Sequence, residues 1–400
     1  DNVSGYGAFS YLSGYNYNTG TAVLDGATIT TSSVRNLPQT EISWLKAHTF
    51  DVGLDFAVLN NRLSGSIDYF QRLRKGLPAS RYDIVVPSEI GFSWPQENLN
   101  SDMVRGFDAS LVWTDKINDF HYSVGGNITY AREYTWNQYK PTFTNSRNYY
   151  VYNQHHRYSG SSWEFNCIGQ FKSWEEIAAY PVDIDGKGNS TLRPGDLIYE
   201  DVNGDGIITY DDQKPIGHKG YDGSAKGDDS RTPLLNFNFN LSMAWKGFDL
   251  AADFAGMAFF TKYFNWEARF PFHGDGNTFQ YYMGDQWSLS DPWNAESELI
   301  PGKYPTMLYG NSGHSNYLAS TFWSEEMWFL KLRNLQIGYT LPEKWSKKIY
   351  MNRVRVYCLM QNLFSFDNMH KYGLDPELTT VQGSSYPTTR VVNIGFNITF

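Results

Sequence analysis

LNFNFNLSMAWKGFDLAADF, residues Leu235 to Phe254, alternates without a break over its first arm. Leu235, Phe237, Phe239, Leu241, Met243 and Trp245 fall on one side, and Asn236, Asn238, Asn240, Ser242 and Ala244 on the other. Side chains of a β-strand alternate faces with period two, so this arm is a strand with one greasy and one wet face. After Lys246-Gly247 the pattern resumes, with Phe248, Leu250, Ala252 and Phe254 opposing Asp249, Ala251, Asp253 and Ala255. A two-residue link ending in Gly between alternating runs reads as a tight hairpin. Each arm has about ten residues, the span of a tilted strand crossing a bilayer. Trp245 and Phe248 flank the turn, where an interfacial aromatic girdle would lie. A hairpin of a water-soluble sandwich fits this stretch equally well on its own.

Composition narrows the choice. Aromatics make up 17% of the 400 residues, including 29 Tyr and 13 Trp, an excess that suits membrane-interface belts or carbohydrate-binding surfaces. The formal net charge is −9, and no Lys/Arg cluster has the density nucleic-acid binding needs. No uninterrupted apolar run approaches the length of a transmembrane helix. A negative mean hydropathy is compatible with a membrane barrel, whose wet lumen offsets its greasy exterior. Cys167 and Cys358 form neither a disulfide framework nor a metal set. The opening DNVSGYGAFS shows no signal peptide, so a barrel would have lost it by processing or would be part of a longer polypeptide.

Residues 1–40, rich in Gly, Tyr, Asn, Ser and Thr, read as loop. Alternating arms follow at 50–56, 63–70, 107–113 and 120–130, then at the opening hairpin, 329–340, 354–361 and 391–400. A phase slip near Asn334 suggests a bulge. SWEEIAAYP, Ser173 to Pro181, reads as a short helix capped by Ser173, with Glu176 three residues on and Pro181 as its stop. Short links (58–63, 114–119 as TDKIND, 245–248, 341–352) alternate strictly with long ones (about 74–101, 133–232, 261–325, 365–388). Outer-membrane barrels segregate tight periplasmic turns from long exterior loops, whereas a soluble sandwich has no reason to, and compact domains rarely hold structureless loops this long. The expected fold is therefore all-β: a transmembrane antiparallel β-barrel, of which nine strands are countable. Single-chain bacterial barrels have even strand numbers, so nine arms imply further strands elsewhere. Residues 1–400 read as one barrel portion, with 133–232 as its largest exterior loop.

Three sets of residues carry candidate chemistry. The ending NIGFNITF places Asn393, Gly395, Ile398 and Phe400 in a pattern resembling the signal that outer-membrane assembly machinery reads; a closing strand is an edge until the barrel shuts, which makes it a natural handle. DVNGDGIITYDD, Asp201 to Asp212, matches most of a calcium loop, with Asp201, Asn203 and Asp205 at positions 1, 3 and 5, the Ile207 carbonyl at 7 and Asp212 at 12. Asp at position 12 is shorter than the usual Glu, no helices clearly flank the loop, and an Asx-rich turn without metal is the competing reading. Trp94, Trp163, Trp174, Trp266, Trp287 and Trp293 lie in the long excursions, where they would stack on substrate or pack to order the loops themselves. His155-His156 beside Arg157 lacks a third metal ligand at useful spacing. No nucleophile elbow, zinc signature or phosphate loop occurs, and the carboxylate pairs Glu175-Glu176 and Glu325-Glu326 carry no reading by themselves.

Several blocks together resemble SusC-like TonB-dependent transporters of Bacteroidetes: FDVGLDFAVLNNRLSGSIDYF (Phe50–Phe70), PGDLIYEDVNGDGIITYDDQKPIG (Pro194–Gly217), FLKLRNLQIGYTLP (Phe329–Pro342), VRVYCLMQNLFSF (Val354–Phe366), YGLDPE (Tyr372–Glu377) and YPTTRVVNIGFNITF (Tyr386–Phe400). The resemblance implies a 22-stranded outer-membrane barrel with an N-terminal plug contacted by TonB and a SusD-like lipoprotein lid. It further implies import of an oligosaccharide or peptide and contact with outer-membrane lipid. The chain lacks the plug, the TonB-contacting segment and the earlier strands, so it would be the C-terminal part of such a barrel. The calcium-like loop would stiffen an exterior loop near lid or substrate. The alternative function is a secreted or surface carbohydrate-binding β-protein, and a third is a surface glycoside hydrolase. A transporter needs its apolar faces in lipid, whereas a soluble module needs them packed.

Overall fold

The computed structural model describes residues 9–159, 162–216, 233–310, 313–377, 386 and 388–400. The end of the largest expected loop, residues 217–232, lies outside the described residues, as do 378–385 and 387 of the last loop. The chain divides into two compact units: residues 54–67, 108–130 and 160–400, and residues 1–53, 68–107 and 131–159.

In the larger unit the backbone runs as an antiparallel meander. Strands enter the sheet in chain order: Lys46–Val58, Leu63–Ala79, Glu97–Ile117, Phe120–Asn137, Leu235–Trp245, Phe248–Tyr263, Ser324–Thr340, Arg353–Gln361 and Val391–Thr399. The first four contribute their turn-proximal lengths to this unit. All nine expected strands are present. Register keeps like faces together: Phe239 stands opposite Gly126 on one side and Phe254 on the other, and Asn240 opposite Gly125 and Asp253. The apolar face continues through Leu250, Ile337, Cys358 and Ile394. This face has no packing partner among the described residues, with Ile394 73% and Phe396 65% exposed. A sandwich would have buried it.

The turns follow from backbone preference. Lys246 and Gly247 both take left-handed φ (46° and 88°), the type I′ geometry whose twist matches the flanking strands. The link expected as TDKIND is tighter than its polarity suggests: strand pairing continues through Ile117 and leaves only Asn118-Asp119 as the turn. Near these turns the apolar face is aromatic, with Phe248 and Tyr339 rings 4.4 Å apart and Trp113 Nε1 donating to Tyr122 Oη at 3.3 Å. The expected bulge is present. Asp253 pairs with Asn334 but Phe254 pairs with Leu332, so Arg333 is the extra residue. On the polar face, Arg355 Nε donates to Asp249 Oδ1 at 3.0 Å across Gly338; a Cβ at Gly338 would meet both side chains.

The long connections are more structured than their sequence implies. The strands Leu63–Ala79, Glu97–Ile117, Phe120–Asn137, Phe248–Tyr263 and Ser324–Thr340 extend well past the alternating arms. In the larger unit the remaining loop sequence folds on two cores. One gathers Phe260, Phe264, Tyr282, Tyr304, Tyr317, Trp323, Met327, Phe329, Met369 and Tyr372; the other gathers Phe165, Phe171, Ile177, Ile184, Leu192, Leu197 and Tyr199. The helix Trp174–Ala179 forms where expected, with Ser173 Oγ accepting from Glu176 N.

The smaller unit holds a correction. Residues expected as loop form a hairpin, Tyr15–Leu24 with Ala27–Val34, joined by Asp25-Gly26 at φ 51° and 77°. The Asp-Gly pair was the available signal. Both faces of the ribbon mix polar and apolar residues and are almost wholly exposed, so no period-two contrast marks it. In this unit Arg157–Tyr158 adds to the edge of Phe120–Asn137 at Tyr134 and Thr135.

Placing charge on the apolar face tests the facing directly. Phe239→Arg is expected to destabilise the intact barrel by about 2–4 kcal/mol, and Ser242→Arg on the polar face by about 0.5 kcal/mol or less. Urea unfolding in detergent micelles measures both, and equal effects would refute the assignment.

Candidate functional site

The polar face and the folded loops of the larger unit bring together most of the candidate chemistry. Asn236, Asn238, Asn240 and Ser242 line one strand, and Asn238 Nδ2 donates to Asn127 Oδ1 at 3.0 Å. Farther along this face the bulge at Arg333 has a consequence. Lys331 and Arg333 both turn to the segment Asp375–Glu377. Lys331 Nζ lies 3.2 Å from Asp375 Oδ2, 2.8 Å from Glu377 Oε2 and 2.8 Å from Thr388 Oγ1, and Arg333 Nη1 donates to Glu377 Oε2 at 2.8 Å. Lys331 is only 4% exposed. A buried ammonium is tolerated because three oxygens replace its water. Thus the FLKLRN and YGLDPE blocks clasp each other, a long-range contact that no local spacing announces.

The calcium-like loop is held by its own backbone. Asp201 Oδ1 and Oδ2 accept from Gly204 N (2.7 Å) and Gly206 N (2.9 Å), and Asp205 Oδ1 accepts from Ile207 N. Gly204 and Gly206 take the left-handed φ that such a tight wrap requires. Asp212 is fully buried and accepts from Val202 N (3.0 Å) and Thr209 N (2.7 Å), capping the short turn Tyr210–Asp212. Asn203 Nδ2 donates to Asp205 Oδ2 at 2.9 Å, and Asp212 supports the loop from behind. Among the described residues no three acidic, His or Cys side chains form a metal-sized cluster.

A second Asx turn lies against the first. Asp183 N donates to Gly206 O (2.8 Å), and Ile208 N to Asp183 O (2.9 Å). Burial pushes the Asp185 carboxyl up. The Thr191 hydroxyl, with the N–H groups of Thr191, Lys187 and Asn189, outweighs burial and holds it at about 2. Below these turns Asp196 is buried with Asn316 Nδ2 at 2.6 Å, and burial raises its carboxyl.

The tryptophans do not form one surface. Trp287 is 6% exposed and part of the loop packing, Trp163 is half-buried, and Trp174 and Trp266 are exposed, as is Trp293 at 95%. Trp266 sits edge-on to His273 at 4.5 Å. In the smaller unit Trp94 Nε1 donates to Glu97 Oε1 (3.0 Å), beside Arg81, itself bound to Asp83 and Glu97. His155 Nδ1 accepts from Gln138 N. The paired carboxylates are spent on structure: Glu176 Oε2 accepts from Lys172 N, and Glu325 accepts from Tyr372 Oη and Lys371 Nζ. Gly395 of the C-terminal pattern lies under the Tyr357 ring, which leaves no room for a Cβ, and Ile398 and Phe400 are exposed on the last strand.

No family model matches the chain. It is 24% identical to TonB-dependent receptor P39 of Formosa agariphila, covering 90% of this chain and 36% of that protein. It is 25% identical to TonB-dependent receptor SusC of Bacteroides thetaiotaomicron, covering 90% of this chain and 32% of that one. The structure of the RagAB peptide importer in its open-open state matches with a TM-score of 0.64 and 19% identity, covering 99% of this chain and 38% of that one. Fold and relatives define the class: an outer-membrane β-barrel protein. Within that class its similarity is to TonB-dependent receptors, SusC among them. It spans about a third of the length of the curated relatives it matches. None of these relatives is named as an enzyme.

Two outcomes follow from this geometry. Lys331→Met leaves Asp375 and Glu377 poorly compensated and is expected to destabilise the clasp by about 3 kcal/mol; faster amide hydrogen exchange at 372–377, with the barrel intact, is the readout. Asp185 is held below its ordinary value of 3.8, so its contribution is complete above pH 4 and disappears as pH falls through about 2. Amide protection of 185–191 should be lost in that window, and Asp185→Asn should abolish the pH dependence.

Proposed function

We propose that this chain is the strand-and-loop portion of a TonB-dependent importer that moves an oligomeric nutrient across the outer membrane with a SusD-like lipoprotein as lid. The observation that carries this reading is the nine-strand meander whose apolar face is open and whose opposite face is lined with Asn, Ser, Asp and Gln. A polar wall suits a wide aqueous lumen, and a lumen of that kind leaks unless plugged. Substrate would be held between the folded exterior loops and the lid, and TonB would open the path by pulling the plug with energy from the inner-membrane proton gradient. The cargo would be a peptide, as for the RagAB neighbour described as a peptide importer, or a glycan. The carbohydrate-binding alternative would require the apolar face to be covered.

The expected result is uptake of labelled oligopeptides by cells carrying the complete transporter, abolished by deletion of TonB or collapse of the proton gradient. Uptake that survives both would overturn the reading. Co-purification with a surface lipoprotein in detergent tests the partner, and mass spectrometry of retained ligand separates peptide from glycan.

Calcium is proposed as a stabiliser of the 201–212 loop, held by Asp201, Asn203, Asp205 and the Ile207 carbonyl. Millimolar calcium should raise protease resistance of this loop in the native protein and leave the Asp201→Ala/Asp205→Ala variant unchanged. Equal protection of both proteins would exclude it.

A further inference from the structure

Among the arginines of the smaller unit that stand outside its ion pairs, Arg105 and Arg132 converge on one place. Arg74 is paired with Asp102, and Arg81 with Asp83 and Glu97. Arg105 and Arg132 have no carboxylate within ion-pair distance among the described residues. Both are instead drawn to one ring. The Arg132 guanidinium carbon lies 3.9 Å and that of Arg105 5.5 Å from the centre of Tyr158, and Arg105 also donates to the Tyr158 hydroxyl. Tyr134 completes the cluster, 5.3 Å edge-on to Tyr158 and 6.0 Å from Arg105. Tyr134 also stacks on His156, which meets Trp136 edge-on at 5.7 Å.

The side of the sheet follows from strand alternation. Arg105 shares parity with Phe107, Ala109, Leu111 and Trp113, and Arg132 with Tyr122, Val124, Ile128 and Tyr130. Both therefore stand on the apolar face. The nearest acids on these strands, Asp108 and Glu133, have the opposite parity. From Tyr122 beside the turn to Arg132 is a run of about 33 Å, which at the tilt of a barrel strand rises about 25 Å, the height of the apolar band of an outer-membrane barrel. Arg105 and Arg132 therefore come at the rim of that band, on the side away from the tight turns.

We propose that Arg105 and Arg132, backed by Tyr158 and Tyr134, form a lipid-facing site for the phosphoryl group of an outer-leaflet lipid. The inference rests on the outer-membrane reading above. Two cations held against one aromatic ring repel each other, and a shared dianion removes that repulsion. Two guanidiniums can grip a tetrahedral anion with paired N–H donors, a geometry a phosphoryl group meets with three oxygens. Tyr and Trp around them suit the depth where an apolar belt gives way to headgroups. The occupant is a lipid rather than a free anion because the residues next in line on the same strands, Phe107 and Tyr130, border hydrocarbon.

The test uses the complete transporter, purified in detergent and delipidated, with native mass spectrometry of added diphosphoryl lipid A. Wild type is expected to bind it at least tenfold more tightly than enzymatically dephosphorylated lipid A, with no competition from millimolar inorganic phosphate. Arg105→Gln/Arg132→Gln should erase that tenfold preference, and Arg105→Lys/Arg132→Lys should restore part of it in an equally well folded barrel, judged by heat-modifiable gel mobility. Undiminished preference in the Gln variant, no preference in wild type, or competition by inorganic phosphate each overturns the proposal. A protein that keeps its barrel mobility but shows no preference sinks this inference alone; one that stays soluble without detergent sinks the outer-membrane reading as well.

Discussion

Backbone hydrogen bonding in a medium without water is the constraint behind this structure. A strand in hydrocarbon must give every N–H and C=O to a neighbouring strand, and an antiparallel meander does so with the shortest possible connections. Because sheet order equals chain order, each connection joins neighbours, and two of the eight, Asn118-Asp119 and Lys246-Gly247, shrink to two residues. The same requirement makes the two edges, Lys46–Val58 and Val391–Thr399, the sheet's reactive borders. Val391–Thr399 carries Ile394 and Phe396 outward and Asn393 and Asn397 inward, so its pattern already suits a position between two strands.

Once the backbone is paired, side chains divide the labour. On the outward face they are chosen for hydrocarbon, with aromatics near the turns. On the inward face small and polar residues let opposing chains pass close. Gly338 beneath the Asp249–Arg355 pair and Gly395 beneath Tyr357 are the same device: a missing Cβ leaves room for a large neighbour to lie flat across the strand. The bulge at Arg333 adds a second device. Slipping one residue turns two cations toward one acidic segment, so a local irregularity in a strand anchors a connection far away in sequence.

Legibility in the sequence tracks the contrast between the two solvents. Leu235–Trp245 and Arg353–Gln361 were plain because one face meets lipid and the other water, which forces strict alternation. Longer strands become illegible where they run on past the alternating arms. In Phe248–Tyr263 the final residues Phe260, Thr261 and Lys262 are all buried in the loop packing, so no period survives although the ladder continues. The Tyr15–Val34 hairpin was missed for the converse reason, being wet on both faces. The slip near Asn334 was readable because a bulge shifts the phase of the pattern itself. The Lys331–Asp375 clasp was not, because the two halves were visible only as separate blocks and nothing in either names its partner.

The long connections keep their shape by packing on themselves. Loops of this length in water would be ruled by chain entropy unless they acquired cores of their own. Here they do: Tyr282 lies 5.0 Å from Tyr304 and 5.8 Å from Trp323 in near-parallel stacks, while the Asx turns at 183–191 and 201–212 are tied together by backbone bonds. Much of the aromatic excess is thereby spent on making rigid walls. A wall that is already ordered loses little entropy when a binding partner settles on it. The exposed Trp174 and Trp293 then stand out as rings that packing has left over, presented on loops whose shape is settled beforehand.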